Sequence, residues 1–278
     1  AGDRALVARI IAEHGVTAVI HMAAKTVVPD SLADPMSYYH TNLGESLALI
    51  ETLVETGVRA MVFSSTAAVY DPAAAEAGPL DEDAPVAPLS PYGRSKRMVE
   101  ELLADADAAT SLRHVALRYF NVAGADAAMR TGQSTRNASH LIKVACEVSV
   151  GLRPALEVYG DDYPTPDGAC VRDFVHVSDV AQAHLAALDH LEAGGASMIL
   201  NCGYGRGASV LEVAAAVERA SGRALPLQRG PRRPGDLVSA VSDPTRLRTR
   251  LGWRPSHDSL DEIVASALRW EASRAGVD

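Results

Sequence analysis

Short apolar runs that alternate with longer amphipathic stretches predict an α/β fold, a parallel sheet with helices on both faces. Ala18-Val19-Ile20-His21-Met22-Ala23-Ala24 and Ala60-Met61-Val62-Phe63-Ser64-Ser65 each follow a polar turn, His14-Gly15 in the first case and Thr56-Gly57 in the second. Residues 115–120 (Val-Ala-Leu-Arg-Tyr-Phe) form a third such run. Continuous rather than alternating apolar character marks strands buried on both faces. Sheets of this kind gather ligands beyond the carboxyl ends of their strands.

Between the first two strands, residues 38–56 place Leu43, Leu47, Ile50, Leu53 and Val54 at helical spacing. A second helix is expected over 91–108, with Met98, Val99, Leu102 and Leu103. After Gly124 the chain becomes irregular and rich in Gly, Pro and Asp, most densely at 160–168, with helices expected at 138–150, 177–193, 209–221 and 259–273. This half reads as a smaller lobe that covers the substrate and threads partly back onto the sheet.

With 278 residues, nearly half of them apolar, the chain can bury a sizeable core. A net charge of −9 with no Lys/Arg run excludes a general nucleic-acid binder, so anionic ligands must be met by individually placed arginines. Cys146, Cys170 and Cys202 show no CxxC spacing, which suits a reducing, cytoplasmic setting better than a disulfide framework. No apolar run reaches the length of a membrane span, and neither a metal site nor a membrane partner is expected.

The chemistry concentrates at Tyr92-Gly93-Arg94-Ser95-Lys96. Tyr and Lys four apart on a helix share one face, and an adjacent ammonium is expected to draw a phenol, ordinarily near pKa ~10, toward phenolate. The pair opens a helix after Pro91 and follows the strand-end hydroxyls Ser64-Ser65-Thr66. This set resembles the short-chain dehydrogenase/reductase superfamily and implies a Rossmann-like, doubly wound sheet. The resemblance implies Tyr92 as acid/base, Lys96 on the nicotinamide ribose, Thr66 as hydrogen-bonding partner and Ser64 nearer the cofactor.

Further stretches are similar to the UDP-galactose 4-epimerases: His21-Met22-Ala23-Ala24, Arg118-Tyr119-Phe120-Asn121-Val122-Ala123-Gly124-Ala125, residues 159–168, Val171-Arg172-Asp173-Phe174-Val175-His176-Val177 and Arg232-Arg233-Pro234-Gly235-Asp236. The similarity runs across essentially the whole chain. It implies NAD as cofactor, contacted by Asp3, Met22, Ala23, Ala24, Lys25, Thr26, Asn42, Ser64, Tyr92, Lys96 and Phe120. It implies a UDP-sugar substrate held by Thr66, Asn121, His140, Leu141, Leu156, Glu157, Val158, Tyr159, Arg172, Arg233, Asp236 and Ala240, with the two arginines on the diphosphate. The sequence departs from the family pattern at Thr26, where a Lys is common, and at Asp71, where a Gly is common.

The implied reaction exchanges UDP-glucose and UDP-galactose by oxidation at C4 to a ketone and re-reduction on the other face. UDP-N-acetylhexosamine and UDP-pentose epimerisation remain open alternatives, as does a catalytically silent NAD-binding module. A dehydratase would need a carboxylic acid beside Thr66, where Ala67 and Ala68 stand. The superfamily implies a homodimer through the helices at 38–56 and 91–108. The expected division is 1–124 as a partial NAD-binding domain, with 170–205 threading back onto it, and 125–278 mainly as the UDP-sugar lobe.

No glycine-rich phosphate turn follows any strand, although this fold places one on its first βα unit. Because Asp3 matches a position late in the family's third strand, about two βα units, on the order of 50–60 residues, are expected ahead of Ala1. On that expectation these 278 residues by themselves bind NAD poorly.

Overall fold

A computed structural model describes residues 1–135, 138–233 and 236–276. Helix α1 (Arg4–His14) begins where the Asp3 carboxylate accepts the Leu6 N–H, and stops at Gly15, whose left-handed φ suits a residue without Cβ. It leads into β1 (Ala18–His21), then two short helices, α2 (Val28–Ala33) and α3 (Pro35–Tyr38), a π-helical stretch (Tyr39–Gly44) and α4 (Glu45–Thr56). Strand β2 (Ala60–Thr66) passes through a 3₁₀ turn (Ala67–Val69) to α5 (Pro72–Ala77). Helix α6 (Pro91–Ala109) is capped by Ser90 and opened by Pro91, which needs no N–H there. After it come β3 (Arg113–Tyr119), β4 (Asn121–Ala123), α7 (Leu141–Ser149), β5 (Leu156–Tyr159), β6 (Val171–His176) and α8 (Val177–Glu192). The remainder is β7 (Met198–Cys202), β8 (Gly207–Ser209), α9 (Val210–Ser221), β9 (Leu227–Gly230), β10 (Ser239–Ala240), α10 (Thr245–Leu251) and α11 (Leu260–Ala275).

The main sheet is parallel throughout, in the order β1-β2-β3-β7. Met61 and Phe63 of β2 pack with Leu53, Val99 and Leu103 beneath α4 and α6, while Val62, Val115 and Leu117 face Val180, Ala183 and Ala187 of α8. Burial on both faces is why these strands are continuously apolar. A second sheet runs β10-β6-β4 with β8 on β6, and β5 pairs with β9. Strand β7 lies past residue 170 yet joins the main sheet beside β3. Among the described residues, no helix is long and apolar enough to cross a membrane.

The helix expected over 38–56 is not uniform. Its π-helical stretch shifts the helical phase, so Leu49, Ile50 and Leu53 are buried while Leu47 and Val54 face outward. The expected strand 18–24 closes at His21, leaving residues 22–26 as an edge of backbone beyond it. Phe120 falls between β3 and β4, in a small cluster with Val69, Tyr70, Ala75 and Leu80.

Helix α6 is fixed to the sheet by charge as well as by packing. The buried Glu100 carboxylate accepts from Arg118 of β3, Nε to Oε1 at 2.9 Å and Nη2 to Oε2 at 2.7 Å, and from Ser65 Oγ of β2 at 2.6 Å. The Arg118 guanidinium lies over the Tyr70 ring at 4.8 Å, and Tyr70 Oη donates to Asn201 Oδ1 of β7. Removing one partner from such a pair leaves a charge stranded in the interior. Arg118→Met is therefore expected to cost about 3–5 kcal/mol, and adding Glu100→Leu should recover much of it. Denaturant midpoints of both variants check this; a single-mutant loss below about 1 kcal/mol would contradict the role given to the pair.

Candidate functional site

The carboxyl ends of β1, β2 and β3 bring together most of the residues expected to carry chemistry. The first turn of α6 lies directly against the turn that follows Thr66: a Cβ on Gly93 would stand 2.4 Å from the Ala68 carbonyl oxygen. Glycine here lets Tyr92 and Thr66 approach. Thr66 Oγ1 accepts the Ala68 N–H at 3.1 Å, and the Thr66 hydroxyl lies near enough to the Tyr92 phenol to favour its ionised form slightly.

The expectation that Lys96 draws Tyr92 toward phenolate does not hold in this geometry. Burial pushes the Tyr92 phenol well above its usual range, against the influence of the nearby Thr66 hydroxyl, so it keeps its proton. Lys96 Nζ instead donates to the Ser64 carbonyl at 2.8 Å and sits 4.8 Å over the Phe63 ring. Burial lowers the ammonium to about 8, against the pull of Glu100.

Beyond β1, Met22, Ala23, Lys25 and Thr26 are exposed and Ala24 is half-buried, a ledge of small residues and backbone at the strand end. A hollow of about 560 Å³ adjoins it, lined by Ala24, Lys25, Thr26, Asp30, Ser37 and Tyr38 among others. Asn42, from the π-helical stretch, holds the ledge. Its Oδ1 accepts the Lys25 N–H at 2.8 Å, and its Nδ2 donates to the Lys25 carbonyl at 3.0 Å and to Ser95 Oγ on α6 at 3.1 Å. Both ends of that amide are engaged within the protein, so Asn42 acts here as a brace rather than a free ligand contact. The Asp3 carboxylate is likewise engaged, as the cap of α1.

A second cluster forms in the other lobe. Arg233 pairs with Asp236, Nε to Oδ2 at 2.7 Å, and lies 4.6 Å over the Tyr159 ring. Arg172 approaches the same carboxylate at 3.6 Å and donates to the Val171 and Leu237 carbonyls. Ala240 stands beside Arg172 in the β10–β6 register. Asn121 reaches the Asp173 carbonyl at 3.4 Å. Pro234 and Gly235 of the quoted Arg-Arg-Pro-Gly-Asp stretch lie outside the described residues.

Other expected substrate residues are placed differently. Leu156 and Val158 are buried, Leu156 within the main core, because they alternate with exposed Glu157 along β5. Leu141 is partly buried against the same core, and His140 is exposed with Nδ1 2.8 Å from Gln133 Nε2. Sequence reasoning missed Glu100, His21 and His184. Glu100 was detectable, since Lys96 and Glu100 share a helix face and Arg118 inside an apolar strand requires a buried partner.

A family model described as the NAD dependent epimerase/dehydratase family matches residues 2–203. A UDP-glucose 4-epimerase of Azospirillum brasilense is 53% identical, over 98% of this chain and 78% of that protein. The crystal structure of UDP-glucose 4-epimerase from Brucella ovis in complex with NAD superposes with a TM-score of 0.93 at 38% identity, covering 96% of this chain and 82% of that one. The enzyme from Bifidobacterium longum, in complex with NAD+ and UDP, superposes with a TM-score of 0.91 at 38% identity, covering 98% and 81%.

At the end of β1, His21 Nε2 lies 2.8 Å from Ser46 Oγ, whose own hydrogen goes to the Asn42 carbonyl. Burial, and then the Lys96 ammonium, lowers the His21 ring to about 4. A base that resists protonation only when folded gives stability that is complete above its unfolded value of about 6.5 and is lost as pH falls toward 4. His21→Gln should therefore remove about 3 kcal/mol of the acid-induced loss between those pH values. Denaturation of both proteins at pH 7 and pH 4 tests this, and identical pH profiles would refute it.

Proposed function

The chain belongs to the NAD dependent epimerase/dehydratase family, and from that membership together with its site we propose that it interconverts UDP-glucose and UDP-galactose. The observation that carries this reading is the junction of α6 with the end of β2, where Tyr92, Thr66 and Lys96 meet beside an open ledge of small residues. Their chemistry fits a nicotinamide dinucleotide: an ammonium and backbone groups for its ribose and phosphates, and a proton-holding phenol for its partner substrate. A nicotinamide dinucleotide held there would supply a reversible hydride acceptor for the sugar C4.

Residues 22–26 line the cofactor side, with Asn42 holding their backbone in place. Tyr92 Oη holds the proton that passes to and from the sugar C4 oxygen, and Thr66 orients that hydroxyl. Burial keeps Tyr92 in its protonated form, the form that re-reduction calls on. Its service as base requires Lys96 to turn its charge toward the phenol. Arg172 and Arg233, which share Asp236, supply forked donors for the diphosphate, and Tyr159 lies at the uracil end. Anchoring at the nucleotide, with few groups on the sugar, leaves the sugar free to present either face.

The small Ala240 beside Arg172 leaves room for an N-acetyl group on the sugar. Exposed Leu47 and Val54 on α4 and Met98 on α6 form an apolar surface for a second copy of the chain. The three cysteines are free and buried, in keeping with a cytoplasmic setting.

Removing one hydroxyl by Tyr92→Phe should lower kcat by about 10²–10⁴ with UDP binding preserved. An assay resolving UDP-glucose from UDP-galactose checks this, and near-normal turnover would sink the assignment. Ala240→Tyr should suppress turnover of UDP-N-acetylhexosamines while sparing UDP-hexoses; equal losses on both would exclude a gate at this position. Light scattering at micromolar concentration should give the mass of a dimer, and Leu47→Glu with Val54→Glu should halve it.

A further inference from the structure

Past the end of β1 the ledge pairs with no strand among the described residues, yet its backbone is held on one side as though a strand were there. Asn42 exchanges both hydrogen bonds with Lys25, its Oδ1 accepting the N–H at 2.8 Å and its Nδ2 donating to the carbonyl at 3.0 Å. Two residues on, Tyr38 does the same for Val27 with a single atom. Its Oη accepts the Val27 N–H at 3.1 Å and donates to the Val27 carbonyl at 2.6 Å. An antiparallel neighbour would impose this pattern, in which every second residue exchanges both bonds with one side. Here two side chains impose it.

The spacings of the two elements match. Tyr38 closes α3 and Asn42 lies four residues on, in the π-helical stretch that continues it, so both project from one face of a continuous helical run. Such neighbours stand about 5–6 Å apart, and two residues of extended chain advance about 6.6 Å. Val27 is extended, with φ −85° and ψ 107°. Tyr38 is buried, and its ring lies 5.8 Å from the Lys25 ammonium, so one side chain holds both the backbone and the cation of the ledge. Asn42 is tied in turn to α6 through Ser95 Oγ, which donates to the Tyr92 carbonyl at 2.7 Å.

In an extended chain, the N–H and C=O of successive residues point to opposite sides. With those of Lys25 and Val27 turned toward the helical run, those of Ala24 and Thr26 turn away from it. Among the described residues, no hydrogen bond within the chain takes them up. Thr26 is exposed and Ala24 half-buried, so a ligand can reach them.

We propose that Tyr38 is a positioning residue that, together with Asn42, stands in for a sheet neighbour along residues 25–27 and thereby presents the backbone of Ala24 and Thr26 as a binding edge. The ligand chemistry that suits such an edge is a ribose phosphate: hydroxyls that both donate and accept, and phosphate oxygens that accept from N–H groups. This rests on the reading of the crevice as an NAD site, and it gives the dinucleotide the backbone of Thr26 rather than its side chain. Tyr38 itself touches no ligand; it acts through Val27.

The arrangement can be read before any ligand is added. In the full chain, amide hydrogen exchange followed by NMR should show the Lys25 and Val27 N–H groups exchanging at least about tenfold more slowly than those of Ala24 and Thr26. Equal rates, or the reverse order, would overturn the proposal. Addition of NAD should slow exchange at Ala24 and Thr26, and unchanged rates there would overturn it too. Tyr38→Phe keeps the ring and deletes the hydroxyl, so Val27 should exchange about tenfold faster and calorimetric titration should show NAD bound about tenfold more weakly. NAD affinity equal to the parent's would reduce Tyr38 to packing and sink its assigned role. If that variant does not fold, the exchange pattern of the parent with and without NAD decides alone. A parent chain that binds no NAD overturns the reading of the crevice along with this proposal, whereas a parent that binds NAD no better than Tyr38→Phe overturns the proposal only.

Discussion

The Glu100 carboxylate is shut away from water, and the proposed catalytic junction takes its position from the way that charge is satisfied. Arg118 grips it with two hydrogen bonds and Ser65 with a third, from neighbouring strands of the main sheet. A pair this buried contributes little net stability over an apolar equivalent, but it makes alternatives expensive. Helix α6 cannot slide one turn along the sheet without stranding both charges. Lys96 stands one turn before Glu100 and Tyr92 one turn before that, so the register of a single ion pair becomes the register of the proposed active site.

The same helix explains why the charges nearby are so restrained. Lys96 is a cation with a buried stem, stabilised by Glu100 on its own helix face and bound to a backbone carbonyl. His21, at the end of the adjoining strand, stays neutral partly because that ammonium is near. His184, on the far face, stays neutral because it is buried. Tyr92 keeps its proton for the same reason. Among these four groups Lys96 is the one that carries charge.

In the other lobe a second buried carboxylate plays the matching part. Asp173 accepts from the N–H groups of Tyr204, Gly205 and Ser242 and from Ser242 Oγ. It thereby joins β6, the turn after β7 and the segment leaving β10. Its neighbour Arg172 and the facing Ala240 inherit their positions from that knot. Arg233, Tyr159 and Asp236 are held more loosely, by stacking and by a partly exposed ion pair.

The α/β alternation and the strand ends at which polar groups gather were legible in the residues alone. Apolar runs, polar turns and helix caps such as Ser90-Pro91 are local properties, written in consecutive residues. The four-residue spacing of Tyr92 and Lys96 is likewise enough to place both on one face of a helix. Only the tertiary structure decided what those groups touch. The π-helical stretch turned Leu47 and Val54 outward and aimed Asn42 at the Lys25 backbone, which no count of apolar positions anticipates. Leu156 and Phe120 proved to sit in apolar clusters, and Val158 is buried as well, because what packs over a residue decides which way it faces. The protonation of Tyr92 depends on burial, and the aim of Lys96 on a carbonyl 32 residues away in sequence. Desolvation and long-range hydrogen bonding exist only once the chain has closed on itself, and so the site's residue types were legible in advance while its electrostatics were not.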